Sequence, residues 1–260
     1  MNILQAALLG VVEGITEFLP ISSTFHLIFT SRLFGISQND FTKLFEVFIQ
    51  SGAILSVALL YFQDVVKYRQ LTKRVIVSFL PTGLVGLILY KFIKNTLFEN
   101  QMLMIGIFAT VGIIFILIEK LIKKEKVKLQ KDRANLSYIE ALLIGLVQSL
   151  AVIPGVSRAG AVMVVMIFLG YKRGEAAYYS FLLSIPTIFS ASFFDLYKMR
   201  SIVLSYSDNW ILLTVGFFSA FISSYFVVKW FIDFLKKNSL VGFGYYRLVV
   251  GIILWIALVA

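Results

Sequence analysis

The 260 residues are 59% hydrophobic and 15% charged, with a mean hydropathy of +0.89, a composition of membrane-embedded rather than water-soluble chains. Cysteine is absent and histidine occurs once, which excludes disulfides, a thiol nucleophile and any multi-histidine or cysteine metal cluster. The formal net charge of +10 would suit a nucleic-acid binder, but in so apolar a chain the basic bias of cytoplasmic loops accounts for it, and no nucleic-acid partner is expected.

Residues 1–9 lack a basic n-region and run straight into a polar motif, so no cleavable signal peptide is expected. The first apolar unit, from 3 to about 34, is interrupted at Pro20. Within it, Glu13 and Glu17 are four apart, so a helix stacks two like charges on one face. Each ionised acid near a bilayer centre costs roughly 2.5–3.5 kcal/mol on insertion scales. Pro20 ends or kinks the helix and leaves Ser22, Ser23, Thr24 and His26 on the turn beyond it. The unit is either a kinked span or a re-entrant pair of half-helices. Ionisable groups inside membranes are functional by default, and this stretch reads as a site.

Spans are expected next at 44–62, 75–93 and 102–118, each close to the ~20 residues a crossing needs. A lysine-rich connector, 119–136, reads as a solvated loop between halves, not a linker between domains. The second broken unit, 138–171, is interrupted at Pro154-Gly155, and further spans follow at 176–197, 210–235 and 241–260. The halves echo each other in order: Glu13 with Gln148, Pro20 with Pro154, Ser23 with Ser157 and Phe45 with Phe181, at offsets of 134 to 136. A single membrane domain is expected, with repeats at about 1–118 and 137–260.

If each broken unit re-enters, each half crosses three times. One side then receives 16 basic residues, among them those of the connector, and the other only 6, namely Arg32, Lys43, Lys91, Lys94, Lys198 and Arg200. That bias puts the connector in the cytoplasm and both termini outside. An odd number of crossings per half inverts the two repeats. The expected fold is an all-α polytopic membrane protein with six full transmembrane helices, two re-entrant helix pairs and a site where the broken helices meet.

At the second break, Ser157 and Arg158 stand where a half-helix begins. Free N–H groups and the positive dipole end make such a terminus an anion site, and the Arg158 fork suits phosphate oxygens. The alternative is that Arg158 only holds the helices together by pairing with Glu13 or Glu17, and both roles can alternate during turnover.

The segments EGITEFLPISST at Glu13–Thr24 with His26, and PGVSR at Pro154–Arg158, resemble the undecaprenyl-diphosphate phosphatase family, also called bacitracin resistance proteins. FEVFIQ at Phe45–Gln50, FLLSIP at Phe181–Pro186 and Tyr246-Arg247 support the resemblance, which covers nearly the whole chain. It implies an integral membrane hydrolase that removes the terminal phosphate from a polyprenyl diphosphate and recycles the lipid carrier of cell-wall synthesis. It also implies the inverted-repeat fold that the charge count suggests. Three positions depart from the family pattern: Phe25 replaces a glycine, Ala159 a serine and Val162 a threonine.

On that reading Glu13, Glu17, Ser23, His26 and Arg158 are the expected catalytic group. Ser23 is the candidate nucleophile, and His26 activates it or a water. Ser22, Thr24, Gly155 and Ser157 join Arg158 in binding substrate. Glu13 and Glu17 either hold a divalent cation, Mg²⁺ or Ca²⁺, or one of them is protonated and acts as general acid. Glu46, Gln50 and Gln148 are expected to support the site. The expected partners are the lipid diphosphate and membrane lipids, with a homodimer left open. Inverted repeats and midplane acids also describe ion-coupled secondary transporters, and a non-catalytic polyprenyl-phosphate binder or scramblase is a third class.

Overall fold

A computed structural model describes residues 1–92, 100–201 and 207–259, the side chains of 90–92, 207 and 208 excepted. Ile93, Lys94 and Ala260, which the expected spans and charge count include, lie outside the described residues, as does the side chain of Lys91. All named elements are helical: α1 (Ile3–Thr16), α2 (Ser23–Leu33), α3 (Asp40–Leu60), α4 (Phe62–Lys67), α5 (Arg69–Phe92), α6 (Gln101–Lys123), α7 (Tyr138–Gln148), α8 (Arg158–Phe168), α9 (Arg173–Lys198), α10 (Ser207–Lys237) and α11 (Val241–Val259). Short 3₁₀ turns cover Arg133–Asn135 and Ser149–Val152.

Among the described residues six helices, α3, α5, α6, α9, α10 and α11, are long and apolar enough to cross a membrane. Large apolar residues such as Leu84, Ile88, Phe226, Trp230, Ile252 and Trp255 stand exposed on them, a surface that lipid covers and water would not tolerate. The chain is a multi-pass membrane protein. α1 has 14 residues and α2, α7 and α8 have 11 each. At about 1.5 Å per residue they span only about 16–21 Å, short of a hydrocarbon core of about 30 Å.

Hydropathy misplaces several ends because capped first turns are polar. α3 starts at Asp40, not Leu44, since the Asn39 side chain accepts from the Thr42 N–H at 2.9 Å and caps the helix. α6 runs on to Lys123, so the expected connector begins as helix. Its Glu119 is buried, where it accepts from the Arg173 guanidinium and, at 3.0 Å, from the Leu240 N–H. Lys131 pairs with Glu140 at 2.8 Å and Arg133 with Glu175 at 2.7 Å. The connector is therefore tied to the body rather than freely solvated.

Packing joins helices that are far apart in the chain. α1 lies along α10 and α7 along α5; α3 packs on α9, and α6 on α11. Small residues permit these approaches. A Cβ on Gly10 would meet the Gly216 carbonyl of α10, and one on Gly145 the Ser78 carbonyl of α5. Pro81 and Pro186 sit inside α5 and α9 without ending them.

Candidate active site

The first break is built from Glu17 to Ser22. α1 ends at Thr16, and Glu17 keeps helical angles as its C-cap, its N–H donating to the Glu13 carbonyl at 2.9 Å. The stacking of Glu13 and Glu17 therefore survives the helix end. Ser22 is the N-cap of α2 at φ 67°, a left-handed value rare for a residue with a side chain. Ser23, Thr24 and His26 are not on the turn, as the position of Pro20 suggested, but in the opening of α2. The second break has the same ending: Ser157 caps α8 at φ 63° and accepts from the Gly160 N–H at 3.2 Å. The equivalent serines are thus Ser22 and Ser157, which aligns Ser23 with Arg158. The sequence match of Ser23 with Ser157 is one residue out of register, because the second break carries one residue more between its proline and its cap.

The two breaks meet. Ser23 Oγ donates to Glu17 Oε2 at 2.5 Å, and Arg158 Nη2 donates to Glu17 Oε1 at 2.9 Å. Arg158 Nη1 also donates to the Ser180 carbonyl of α9 at 2.8 Å. The pair is nearly buried, with side-chain exposures of 10% for Arg158 and 6% for Glu17. Glu13 is wholly buried and neither of its carboxylate oxygens receives a hydrogen bond; Arg158 Nε is likewise buried without an acceptor. An orphaned carboxylate beside a second one needs a proton, a cation or a ligand's donors to persist in an apolar interior. Among the described residues no group of three or more His, Cys, Asp or Glu is placed to hold a metal.

A cavity of about 700 Å³ opens on this pair. Glu17, Ser22, Ser23, Thr24, Gly155, Ser157 and Arg158 line one part of it, and Phe79, Leu87, Ile188 and Phe193 of α5 and α9 line much of the rest. The first part is polar and the second mostly apolar. Glu46 and Gln50 line the wall from α3. Ser31 and Gln38 donate to Glu46 Oε1 at 2.8 and 2.9 Å. Gln148 stands behind the cavity wall, its amide donating to Thr82 at 2.8 Å and Thr187 at 3.3 Å.

His26, expected to activate Ser23 or a water, is tied to groups other than Ser23. Its Nδ1 donates to the Ser22 carbonyl at 2.8 Å, since a carbonyl can only accept, so in the neutral ring Nε2 accepts from the Tyr246 hydroxyl at 2.7 Å. It does not bond Ser23. Glu17 does. Tyr246, Arg247 and Ser180 were not among the site residues expected from sequence. The signal for Arg247 was there to read, since an arginine inside an apolar span is itself a functional pointer.

A multi-pass helical membrane protein, with a polar site assembled where two broken helices meet, is the class this fold and site define. The chain belongs to the bacitracin resistance protein family, whose model, described as bacitracin resistance protein BacA, matches residues 6–253. It is 44% identical to the undecaprenyl-diphosphatase of Aquifex aeolicus, with 96% of each chain covered. It is 46% identical to that of a Sulfurihydrogenibium species over 98% of this chain and 99% of the relative. The undecaprenyl-diphosphatase of Persephonella marina is 43% identical over 97% and 98%. The three departures from the family pattern fall in packed positions. Phe25 stacks on Phe108 at 3.9 Å and 5° between planes, while Ala159 and Val162 are buried in the core that α8 shares with its neighbours.

Proposed function

We propose that this protein hydrolyses undecaprenyl diphosphate to the monophosphate and inorganic phosphate, recycling the lipid carrier of cell-wall synthesis and conferring bacitracin resistance. The observation that carries the mechanism is the Ser23–Glu17 hydrogen bond of 2.5 Å, facing a cavity with Arg158 on its wall. Glu17 takes the Ser23 proton as Oγ attacks the terminal phosphorus. The Oγ–P bond forms, the bond to the bridging oxygen breaks, and its electron pair leaves with the lipid monophosphate. Glu17 passes the proton to that leaving group and then activates the water that frees phosphate from Ser23. Arg158 exchanges its contact with Glu17 for phosphate oxygens, where charge develops in the transition state. The free N–H groups opening α2 and α8 add donors to the same spot. His26 acts through Ser22, whose carbonyl it holds.

The orphaned Glu13 carboxylate beside Glu17 fits a divalent cation, Mg²⁺ or Ca²⁺, which these two residues would hold. Bound there, the ion would neutralise diphosphate charge. Chelation should then abolish phosphate release by the purified protein and either ion restore it; full activity in chelator would leave Glu13 as a proton-bearing acid.

The short α1, α2, α7 and α8 support re-entrant pairs, and the reciprocal packing of α1 on α10 and α7 on α5 supports two inverted repeats. Both termini are proposed to face outward and the 119–136 connector the cytoplasm. Single cysteines introduced into this cysteine-free chain should react with an impermeant maleimide in intact cells when placed at residue 2 and not at residue 126. The reverse pattern would overturn the orientation.

Phosphate release from undecaprenyl diphosphate by purified protein tests the reading as a whole. Movement of lipid or solute across vesicles without release would instead favour a carrier.

A further inference from the structure

Arg247 is 0% exposed, in an apolar helix, and among the described residues no carboxylate pairs with it. A buried guanidinium of this kind is costly unless its donors are used. Its donors go to three backbone carbonyls from three separate parts of the chain. Nε donates to the Phe108 carbonyl of α6 at 2.8 Å, Nη1 to the Pro20 carbonyl at 3.0 Å, and Nη2 to the Gly155 carbonyl. Pro20 belongs to the first break and Gly155 to the second. One side chain from α11 therefore grips both broken units, two residues before the cap Ser22 and two before the cap Ser157.

The grip is itself held. The Arg247 carbon Cζ lies 4.3 Å from the centre of the Phe108 ring, and Phe25 stacks on that same ring, so α2, α6 and α11 are layered through Phe25, Phe108 and Arg247. Gly155 sits at φ +97°, where a Cβ would press on the Met104 carbonyl at 2.7 Å. The Gly155 backbone is thus closely packed on α6. The residue next to Arg247, Tyr246, bonds His26, which in turn bonds the Ser22 carbonyl. Pro20 and Ser22 of the first break are thus both tied to consecutive residues of α11.

We infer that Arg247 is a positioning residue that locks the two breaks into one register, so that Ser23 and Glu17 from one half and Arg158 from the other face the same phosphate. It touches none of the reacting groups. Its effect passes through the backbone, by setting where the α2 and α8 N-termini point. The planar fork is needed because three carbonyls in different directions must be reached at once. A lysine ammonium is a single point and reaches one of them well.

The activity arm of the test rests on the phosphatase reading, and a second arm does not. Arg247→Lys should lower kcat about 30- to 100-fold, the penalty for small misplacement of reacting groups, while KM for undecaprenyl diphosphate changes less than threefold. Arg247→Gln, which keeps a planar group but has two N–H donors in place of five and no charge, should fall in the same direction. Thermal unfolding in detergent gives the folded fraction of each variant. In parallel, spin labels on Thr30→Cys in α2 and Val164→Cys in α8 report the register of the two units by pulsed dipolar distances. One narrow distribution is expected with Arg247 and a broadened or shifted one with Arg247→Lys or Arg247→Gln.

A narrow, unshifted distribution in both variants overturns the proposal, as does a loss of kcat that only tracks the folded fraction. If the unsubstituted protein releases no phosphate, the function fails and the distance measurement still decides the clamp.

Discussion

Ser23→Ala should leave a folded protein whose turnover is reduced by about 10⁴-fold, or about 5.4 kcal/mol in the barrier. Ser23 is the one hydroxyl of the Ser22–Thr24 run that bonds a carboxylate, and its Oγ points at Glu17 from the first turn of α2. Removing it deletes the attacking atom and leaves Glu17 with Arg158 alone. KM should change little, because Arg158, Thr24 and the helix N-termini still meet the phosphates. Glu17→Gln should fall as far, since the amide cannot take the proton, whereas Ser22→Ala should lose far less, its side chain making no cap bond. Steady-state phosphate release with folding checked by size exclusion makes the comparison. Turnover by Ser23→Ala within tenfold of the parent would mean that water attacks directly.

Arg158→Lys should cost about 10³-fold in kcat, at the upper end of what one lost transition-state donor costs elsewhere. The charge survives in this variant and the fork does not. Arg158 now bridges Glu17 Oε1 and the Ser180 carbonyl with different nitrogens while Nε stays unused. A single ammonium cannot hold Ser180 and present parallel donors to a phosphate. The loss should be far larger than a charge-only role allows, and Ser180→Ala, which keeps the carbonyl, should be near the parent. Kinetics of the two variants side by side separate fork from charge: parent-like turnover by Arg158→Lys would mean that a positive charge without the fork suffices.

What could be read from the sequence was whatever an apolar setting makes conspicuous. Two acids, a proline and three hydroxyls among leucines and phenylalanines marked the first break, and Pro154 to Arg158 the second, and the structure brings Glu17, Ser23 and Arg158 together. Helix ends were less legible, because hydropathy discounts polar first turns such as the one Asn39 caps. The register between the breaks was missed by one residue, since apolar helices align almost equally well at neighbouring offsets. The backbone supplies what the letters lack, in the shared left-handed φ of Ser22 and Ser157. The role of His26 was hidden for a different reason: its Tyr246 partner lies 220 residues away. Arg247 was conspicuous as a charge in an apolar span, but its partners were opaque, because carbonyl acceptors carry no side-chain signature. Phe25, where a glycine is usual, became intelligible only once Phe108 was seen stacked on it.

The central claim is that Ser23, with its proton taken by Glu17, attacks the terminal phosphorus. It is tested most directly by acid-quenching the purified protein during turnover of undecaprenyl diphosphate carrying ³²P in its terminal phosphate. The label should be found covalently on the peptide containing Ser23, be absent from Ser23→Ala, and be released by water at a rate that accounts for turnover. Full release of labelled phosphate, with no label on the protein at the earliest quench times and undiminished turnover in Ser23→Ala, would contradict it.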